Sequence, residues 1–132
     1  MLGVCIPWHM AEVTHRSGPK KRPWEMHLLF LGQLKVVMDS LSEPFVVAGD
    51  FNQRYPRVAG ANRAAADALK TTFERLAIAT EGTVDGCTKP GIDHIALSPR
   101  LEANAVSSWP KDVTGNRLSD HDGVMVDVKL GE

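Results

Sequence analysis

The chain has 132 residues, which suits one domain or part of one. Hydrophobic residues make up 43% of the sequence, too many for a disordered chain, and no apolar run approaches the roughly 20 residues of a membrane span. The net charge of −1 is not the basic balance that is typical of a nucleic-acid-binding domain.

The first half of the chain alternates strands and helices. Residues 2–6 predict a short buried strand, and a loop with proline and glycine follows to Arg22. Pro23 suits the first position of a helix. Apolar residues then recur at helical spacing and predict an amphipathic helix that runs to about Leu41: Trp24, Leu28, Leu31, Leu34, Met38 and Leu41. The continuous apolar run at 45–48 is typical of a strand that is buried on both faces.

The second half is richer in strands. Asn62 can cap a second helix with one apolar face, formed by Ala65, Ala68, Leu69, Thr72, Phe73 and Leu76. Short strands are predicted at 77–80, 92–97 and 102–109, and residues 110–122 are predicted to form a loop. Val124 to Leu130 alternate apolar and polar residues, which predicts a final strand with one buried face. The order of elements predicts an α/β fold.

The first candidate site follows the 45–48 strand, in Gly49-Asp50-Phe51-Asn52. Gly49 has no side chain, so a ligand could approach the backbone before Asp50. Asp50 and Asn52 are two residues apart and would point to one side of an extended chain. One could orient water or a metal ion, while the other donates an amide hydrogen bond to phosphate. The alternative is an Asp-x-Asn turn that caps the strand.

The second candidate site combines Asp93, at the start of a strand, with Asp120-His121, just before the last strand. Histidine exchanges protons near neutral pH, and a carboxylate can orient it and stabilise its charged form. Asp93 lies at the edge of an apolar strand face and needs a polar partner, which His121 would supply. Carboxylates and a histidine at strand boundaries suit metal-assisted hydrolysis of a phosphate ester. The alternative for residues 120–122 is a polar turn.

The motifs Gly-Asp-Phe-Asn at 49–52, Ile-Asp-His at 92–94 and Ser-Asp-His at 119–121 resemble, in this order, the endonuclease/exonuclease/phosphatase superfamily. The resemblance covers nearly the whole chain but only about the C-terminal half of a typical family domain. It implies half of a four-layer α/β sandwich of the DNase I-like type. It also implies a phosphoester hydrolase that uses Mg²⁺ or Mn²⁺, with a nuclease or phosphodiesterase favoured. DNA, RNA, phosphoinositides and sphingolipid headgroups all occur as substrates of the family.

The resemblance also implies roles for particular residues. Asp50 and Asn52 match active-site residues of the family, with Asp50 as base or water-orienting group close to the metal. His121 matches the histidine that contacts the scissile phosphate or activates water, and Asp93 matches the aspartate that pairs with it. Asp120 matches the aspartate at the metal.

One part of the family pattern has no counterpart. Family domains begin with a half that carries an asparagine and a metal-binding glutamate, and neither Glu12 nor Glu25 follows a strand as that glutamate does. We therefore expect residues 1–132 to be an N-terminally incomplete domain. The alternative function is a catalytically incomplete remnant or binding domain. We also expect an uncovered inner sheet face, including Val47, Ile95 and Val126 or their strand neighbours, and self-association through it.

Other residues allow both a functional and a structural interpretation. Cys5 and Cys87 form neither a disulfide framework nor a zinc spacing, and residues 1–7 lack the features of a signal peptide, so reduced thiols in a cytoplasmic protein are expected. Arg54 and Arg117 could clamp a phosphate or be solvated. Trp8 could stack on a base, whereas Trp24 is expected in the core, and His94 in packing or at the surface. His9 and His15 give a weak metal signal. The loop of Lys20, Lys21 and Arg22 could be solvated or bind phosphate.

Overall fold

The computed structural model describes residues 1–14 and 18–132. Its elements are, in chain order, β1 (Leu2–Cys5), α1 (Glu25–Asp39), β2 (Val46–Asp50), α2 (Arg63–Thr72), β3 (Ala77–Ile78), β4 (Asp93–Leu97), β5 (Leu101–Trp109), β6 (Asp112–Val113), β7 (Asn116–Arg117) and β8 (Gly123–Leu130). The predicted α/β architecture is confirmed. Within the described ranges, no helix is both long and apolar enough to cross a membrane.

The central sheet has four strands in the order β1-β2-β4-β3. Strand β1 is parallel to β2, whereas β4 is antiparallel to both β2 and β3. Cys5 pairs with Asp50, which pairs with Asp93. Because residues opposite one another in a ladder share a face of the sheet, these three form a row across three strands.

Both helices pack on one face of this sheet and form the core with it. Val47 and Ala96 contribute from the sheet, and Leu31 and Leu69 from the two helices. The ring of Phe51 stacks on Phe73, with 4.6 Å between ring centroids. Val47 is fully buried under the helices, so its strand neighbour Ala48, which pairs with Ile95, lies on the other face of the sheet.

The beginning of α1 differs from the prediction. Trp24 has φ 70°, a left-handed conformation, so the helix starts at Glu25 rather than Pro23. The predicted place of Trp24 on the helix core face is wrong, because its half-buried ring instead packs against His27. His27 itself is completely buried. The spacing of apolar residues could not predict this, because histidine is polar. The predicted cap of α2 is confirmed, with the Asn62 side chain accepting a hydrogen bond from the Ala65 N–H at 2.9 Å.

The segment at 110–122 is not all loop. Strands β6 and β7 form a short antiparallel hairpin. Its turn residues, Thr114 and Gly115, have φ 50° and 80°, as a type I′ turn requires. Thr-Gly is a weaker hairpin signal than Asn-Gly, so the sequence alone indicates a loop here. The long strands β5 and β8 pair as a separate two-stranded sheet whose residues contact β4.

Candidate active site

The structure brings Asp93 and His121 together. Asp93 is the first residue of β4, and its Oδ2 lies 2.6 Å from His121 Nδ1. His121 lies in the turn that leads into β8, where the Ser119 hydroxyl accepts a hydrogen bond from its backbone N–H at 3.1 Å. Both side chains are about one-third exposed, 28% for Asp93 and 33% for His121, so the pair is fixed from the protein side and open to a ligand.

Asp50 joins this pair to form a three-residue cluster. One carboxylate oxygen of Asp50, one of Asp93 and a ring nitrogen of His121 all lie within 4.8 Å of one another. The ladder register explains the proximity, because Asp50 and Asp93 are direct partners at one end of β2 and β4. The structure thus brings together residues that are 43 and 28 positions apart in sequence.

Asn52 holds Asp50 in place. Its backbone N–H donates to Asp50 Oδ1 at 2.7 Å, and its side-chain Nδ2 donates to Asp50 Oδ2 at 3.1 Å. The same Nδ2 donates to the Ile6 carbonyl at 2.7 Å, and Asn52 has φ 52°. This is the Asp-x-Asn turn that the sequence left as an alternative. The Asn52 amide faces Ile6 and Asp50, so here it acts by positioning the carboxylate.

Gly49 is required by the sheet. It has φ 146°, and a Cβ at this position would lie 1.9 Å from the Val4 carbonyl oxygen. The close approach of strand β1 therefore requires glycine here, and the backbone of Gly49 also lines a cavity with Asp93 and His121. That a ligand approaches this backbone stays a prediction.

Asp120 lies outside the three-residue cluster. Its side chain is 82% exposed, and its Oδ2 is 3.9 Å from His121 Nε2. The neighbouring Asp122 accepts a hydrogen bond from the Lys111 N–H at 3.0 Å and so ties this turn to the start of β6. Asp120 can bind a metal ion only if that ion lies on the solvent side of the cluster.

The electrostatics of the cluster favour a positive charge. Burial raises the pKa of Asp93 above its usual value; the nearby His121 opposes this shift, and the Asp50 carboxylate adds to it. A divalent cation would relieve the repulsion between the two carboxylates. Oxygen donors suit Mg²⁺ or Mn²⁺, so the donor set fits such an ion, with Asp50 and Asp93 as the residues that would hold it.

Behind the cluster lies a buried polar network that the sequence did not indicate. His27 Nδ1 is 2.6 Å from the Pro7 carbonyl, which can only accept, so Nδ1 carries the proton. His27 Nε2 then accepts from Gln53 Nε2 at 2.6 Å, and this amide also donates to the Ala65 carbonyl at 3.0 Å. The contacts therefore assign a neutral His27, and burial correspondingly lowers its pKa.

His94 continues the network on the other side of Gln53. Its Nε2 donates to the Gln53 carbonyl at 3.0 Å, and its Nδ1 lies 3.2 Å from the Thr80 hydroxyl. That hydroxyl accepts from the Ile95 N–H at 3.0 Å, so its own proton is free for His94. His94 is thus a buried packing residue whose pKa is lowered by burial. Both histidines hold the residue that follows Asn52.

Of the other candidate residues that the structure describes, Arg54 lies next to the cluster, and the others lie apart from it. Arg117 is exposed and donates to the Ser119 carbonyl at 3.1 Å, while Lys21 pairs with Glu25 at 3.3 Å. The ring of His9 packs against Trp8 and Trp24. His15 lies outside the described residues. Arg54 lines a cleft next to Asp93 and His121, together with Lys89 and Lys111.

Comparison with solved structures gives one similar chain to set beside this geometry. It is described as an endonuclease/exonuclease/phosphatase from Beutenbergia cavernae DSM 12333, with 22% sequence identity and a TM-score of 0.49. The alignment covers 80% of this chain and 32% of that chain, so the sequence spans about a third of the length of the protein it matches. No family model matches the chain, and the comparison with curated proteins gives no significant match.

Proposed function

We propose that this protein is a divalent-metal-dependent phosphoester hydrolase of the phosphodiesterase or nuclease kind. The observation that carries the proposal is the cluster of Asp50, Asp93 and His121, with ligand atoms within 4.8 Å of one another. It combines an oriented histidine with two carboxylates that repel each other. Phosphoester hydrolysis requires both a proton acceptor for water and positive charge near the phosphoryl oxygens.

Each residue has a distinct role in this proposal. The Asp93 carboxylate accepts the Nδ1–H of His121, which leaves Nε2 with a lone pair directed away from the pair. Nε2 takes the proton from the attacking water, and the Asp93 charge stabilises the imidazolium that results. Asp50, fixed by Asn52, orients the water and, with Asp93, would hold a divalent cation; Asp120 would extend the metal site from the turn. The cation, when bound, offsets charge on the phosphoryl oxygens.

A second candidate function is a remnant or binding domain without turnover. One observation favours it: among residues 1–14 and 18–132, the group that could hold a metal contains two aspartates and a histidine but no glutamate. The two functions differ in one measurable respect, since a binding domain engages phosphoesters without metal-dependent hydrolysis.

Variants of the cluster test the proposed roles. We expect His121→Ala and Asp50→Asn each to lower turnover of a generic phosphodiester with Mn²⁺ by about 10²- to 10⁴-fold, the usual contribution of a positioned proton-transfer group. The assay uses bis(p-nitrophenyl) phosphate, and circular dichroism checks the fold. Asp67→Asn removes a carboxylate from the exposed face of α2 and should leave turnover unchanged. Equal losses in Asp67→Asn and Asp50→Asn would contradict the assignment.

A further inference from the structure

Helix α1 has an apolar outer side in addition to the side that packs in the core. The residues that face the sheet are buried. On the opposite side, Leu29 and Val36 are 51% and 70% exposed, and Leu28 and Val37 beside them are exposed as well. A surface helix normally carries polar residues on its outer side, whereas a helix that is apolar on all sides is buried. The outer side of α1 is therefore typical of a helix that packs against a further element.

The outer apolar residues are arranged symmetrically along α1. Leu28-Leu29 precede Gly32-Gln33 by the same number of positions as Val36-Val37 follow it. A twofold axis beside Gly32-Gln33 would thus place Leu29 of one copy opposite Val36 of a second, antiparallel copy, and Leu28 opposite Val37. A twofold interface requires a surface that is complementary to itself, so this spacing fits a second copy of the chain.

Gly32 lies in the middle of this surface. A glycine inside a helix lowers the stability of the helix. A Cβ at Gly32 would meet nothing within 4 Å, so packing within one copy does not require glycine here. The missing side chain would instead let the backbone of a second helix approach closely.

The charges of α1 do not oppose such a contact. Glu25 pairs with Lys21 at 3.3 Å, and Lys35 pairs with Asp39 at 3.2 Å, so these charges are balanced within one copy. In an antiparallel pair, the N-terminal end of one helix lies beside the C-terminal end of the other. The opposite partial charges of the two helix ends then attract each other.

We propose that the outer side of α1 binds α1 of a second copy of this chain, antiparallel and about a twofold axis. The helix has 15 residues and is therefore about 22 Å long. One side of a helix of this length buries less than the roughly 800 Å² per partner of a stable interface, so the dimer is weak and reversible. The contact lies on the helix-covered face of the central sheet, opposite the row of Asp50 and Asp93.

Cysteine cross-linking tests this geometry. In the full chain with Cys5→Ser and Cys87→Ser, copies that carry Leu29→Cys are mixed with copies that carry Val36→Cys under mild oxidation. We expect a disulfide-linked dimer with one copy of each variant, identified by mass spectrometry. Association through the uncovered sheet face would not bring these two positions together.

Each cysteine variant alone is the matched control. In the antiparallel pair, equivalent residues of the two copies are about 10 Å apart along the helix axes, beyond the roughly 7 Å between Cα atoms that a disulfide can span. Equal cross-linking in the mixture and in either variant alone would overturn the inference, as would a mixture that does not cross-link.

Analytical ultracentrifugation measures the strength of the dimer. Val36→Lys should weaken it at least about tenfold, because the contact would remove the ammonium group from water. Ala64→Lys adds the same charge to the exposed side of α2 and should leave the dissociation constant unchanged. Equal dissociation constants for the wild type and Val36→Lys would overturn the inference. A monomeric wild type that sediments with phosphatidylcholine vesicles would also overturn it and assign this side of α1 to a lipid surface.

Discussion

At the scale of single residues, the candidate site depends on side chains that never touch it. Gln53 directly follows Asn52, and its amide and carbonyl are bound by His27 and His94 respectively. Both histidines are buried. Each polar hydrogen in this network has one hydrogen-bond acceptor. Substitution of any residue of the network would therefore leave a buried polar atom without a partner. The network fixes the turn that presents Asp50.

This network predicts how stability depends on pH. The folded-state pKa of His27 is lowered from the ordinary value of 6.5, so its contribution to stability is present above pH 6.5 and is lost as the pH falls below it. We expect the free energy of unfolding, measured with urea, to fall between pH 7.5 and 5, and to fall less steeply in His27→Gln. His9→Gln changes an exposed histidine and should keep the wild-type slope. Identical slopes in His27→Gln and wild type would refute the neutral, buried assignment.

The same reasoning gives His94 a structural role. The sequence leaves His94 as a packing or a surface residue, and the structure shows that it is buried with two hydrogen-bond partners. We expect His94→Ala to lower the free energy of unfolding, because it leaves those partners without a hydrogen bond.

At the scale of elements, the sequence predicted most of what periodicity and capping control. The positions of both helices and of the strands at 93–97 and 123–130 follow from apolar spacing, and Asn62 caps α2 as expected. The sequence could not show what tertiary contacts decide. The left-handed conformation of Trp24 shortens α1. His27 can be buried because the Pro7 carbonyl, twenty residues earlier in the chain, accepts its hydrogen bond. Of the candidate site, the pairing of Asp93 with His121 was foreseen, whereas the network around Gln53 was not.

Two glycines of these elements should respond to alanine in opposite directions. At Gly49 a Cβ would meet the Val4 carbonyl at 1.9 Å, so β1 and β2 must separate, and we expect destabilisation by about 2–3 kcal/mol. At Gly32, inside α1, a Cβ meets nothing within 4 Å. Gly32→Ala should raise the free energy of unfolding by about 0.5–1 kcal/mol, because alanine has a higher helix propensity than glycine. Urea unfolding of both variants checks this, and a neutral Gly49→Ala would show that the strands can adjust freely.

At the scale of the whole molecule, the helices cover only one face of the central sheet. The row of Cys5, Asp50 and Asp93 lies on the other face, where Ala48 and Ile95 are half-buried. Trp109 and Met125, on the β5–β8 sheet, are 53% and 52% exposed. The Asp50–Asp93–His121 cluster therefore lies at the less protected side of the molecule.

This asymmetry leads us to expect concentration-dependent self-association. Exposed apolar side chains and the free edges of a two-stranded sheet both favour contacts between copies. Analytical ultracentrifugation should show a mass that rises with concentration, and less so in Met125→Lys, which charges an exposed position of β8. Lys129→Met, at another exposed position of β8, is the reciprocal control and should not reduce association. A constant monomer mass for the wild type would refute this expectation.

The proposed function requires that Asp50, Asp93 and His121 form a metal-dependent hydrolytic site. The most direct measurement is the rate of hydrolysis of bis(p-nitrophenyl) phosphate by the wild-type chain as Mn²⁺ or Mg²⁺ is titrated in and then removed with a chelator. We predict a rate that rises to saturation with the metal, returns to background with the chelator and is about 10²- to 10⁴-fold lower in His121→Ala under identical conditions. A wild-type rate that stays at background across the whole titration, or one that the chelator does not affect, would contradict it.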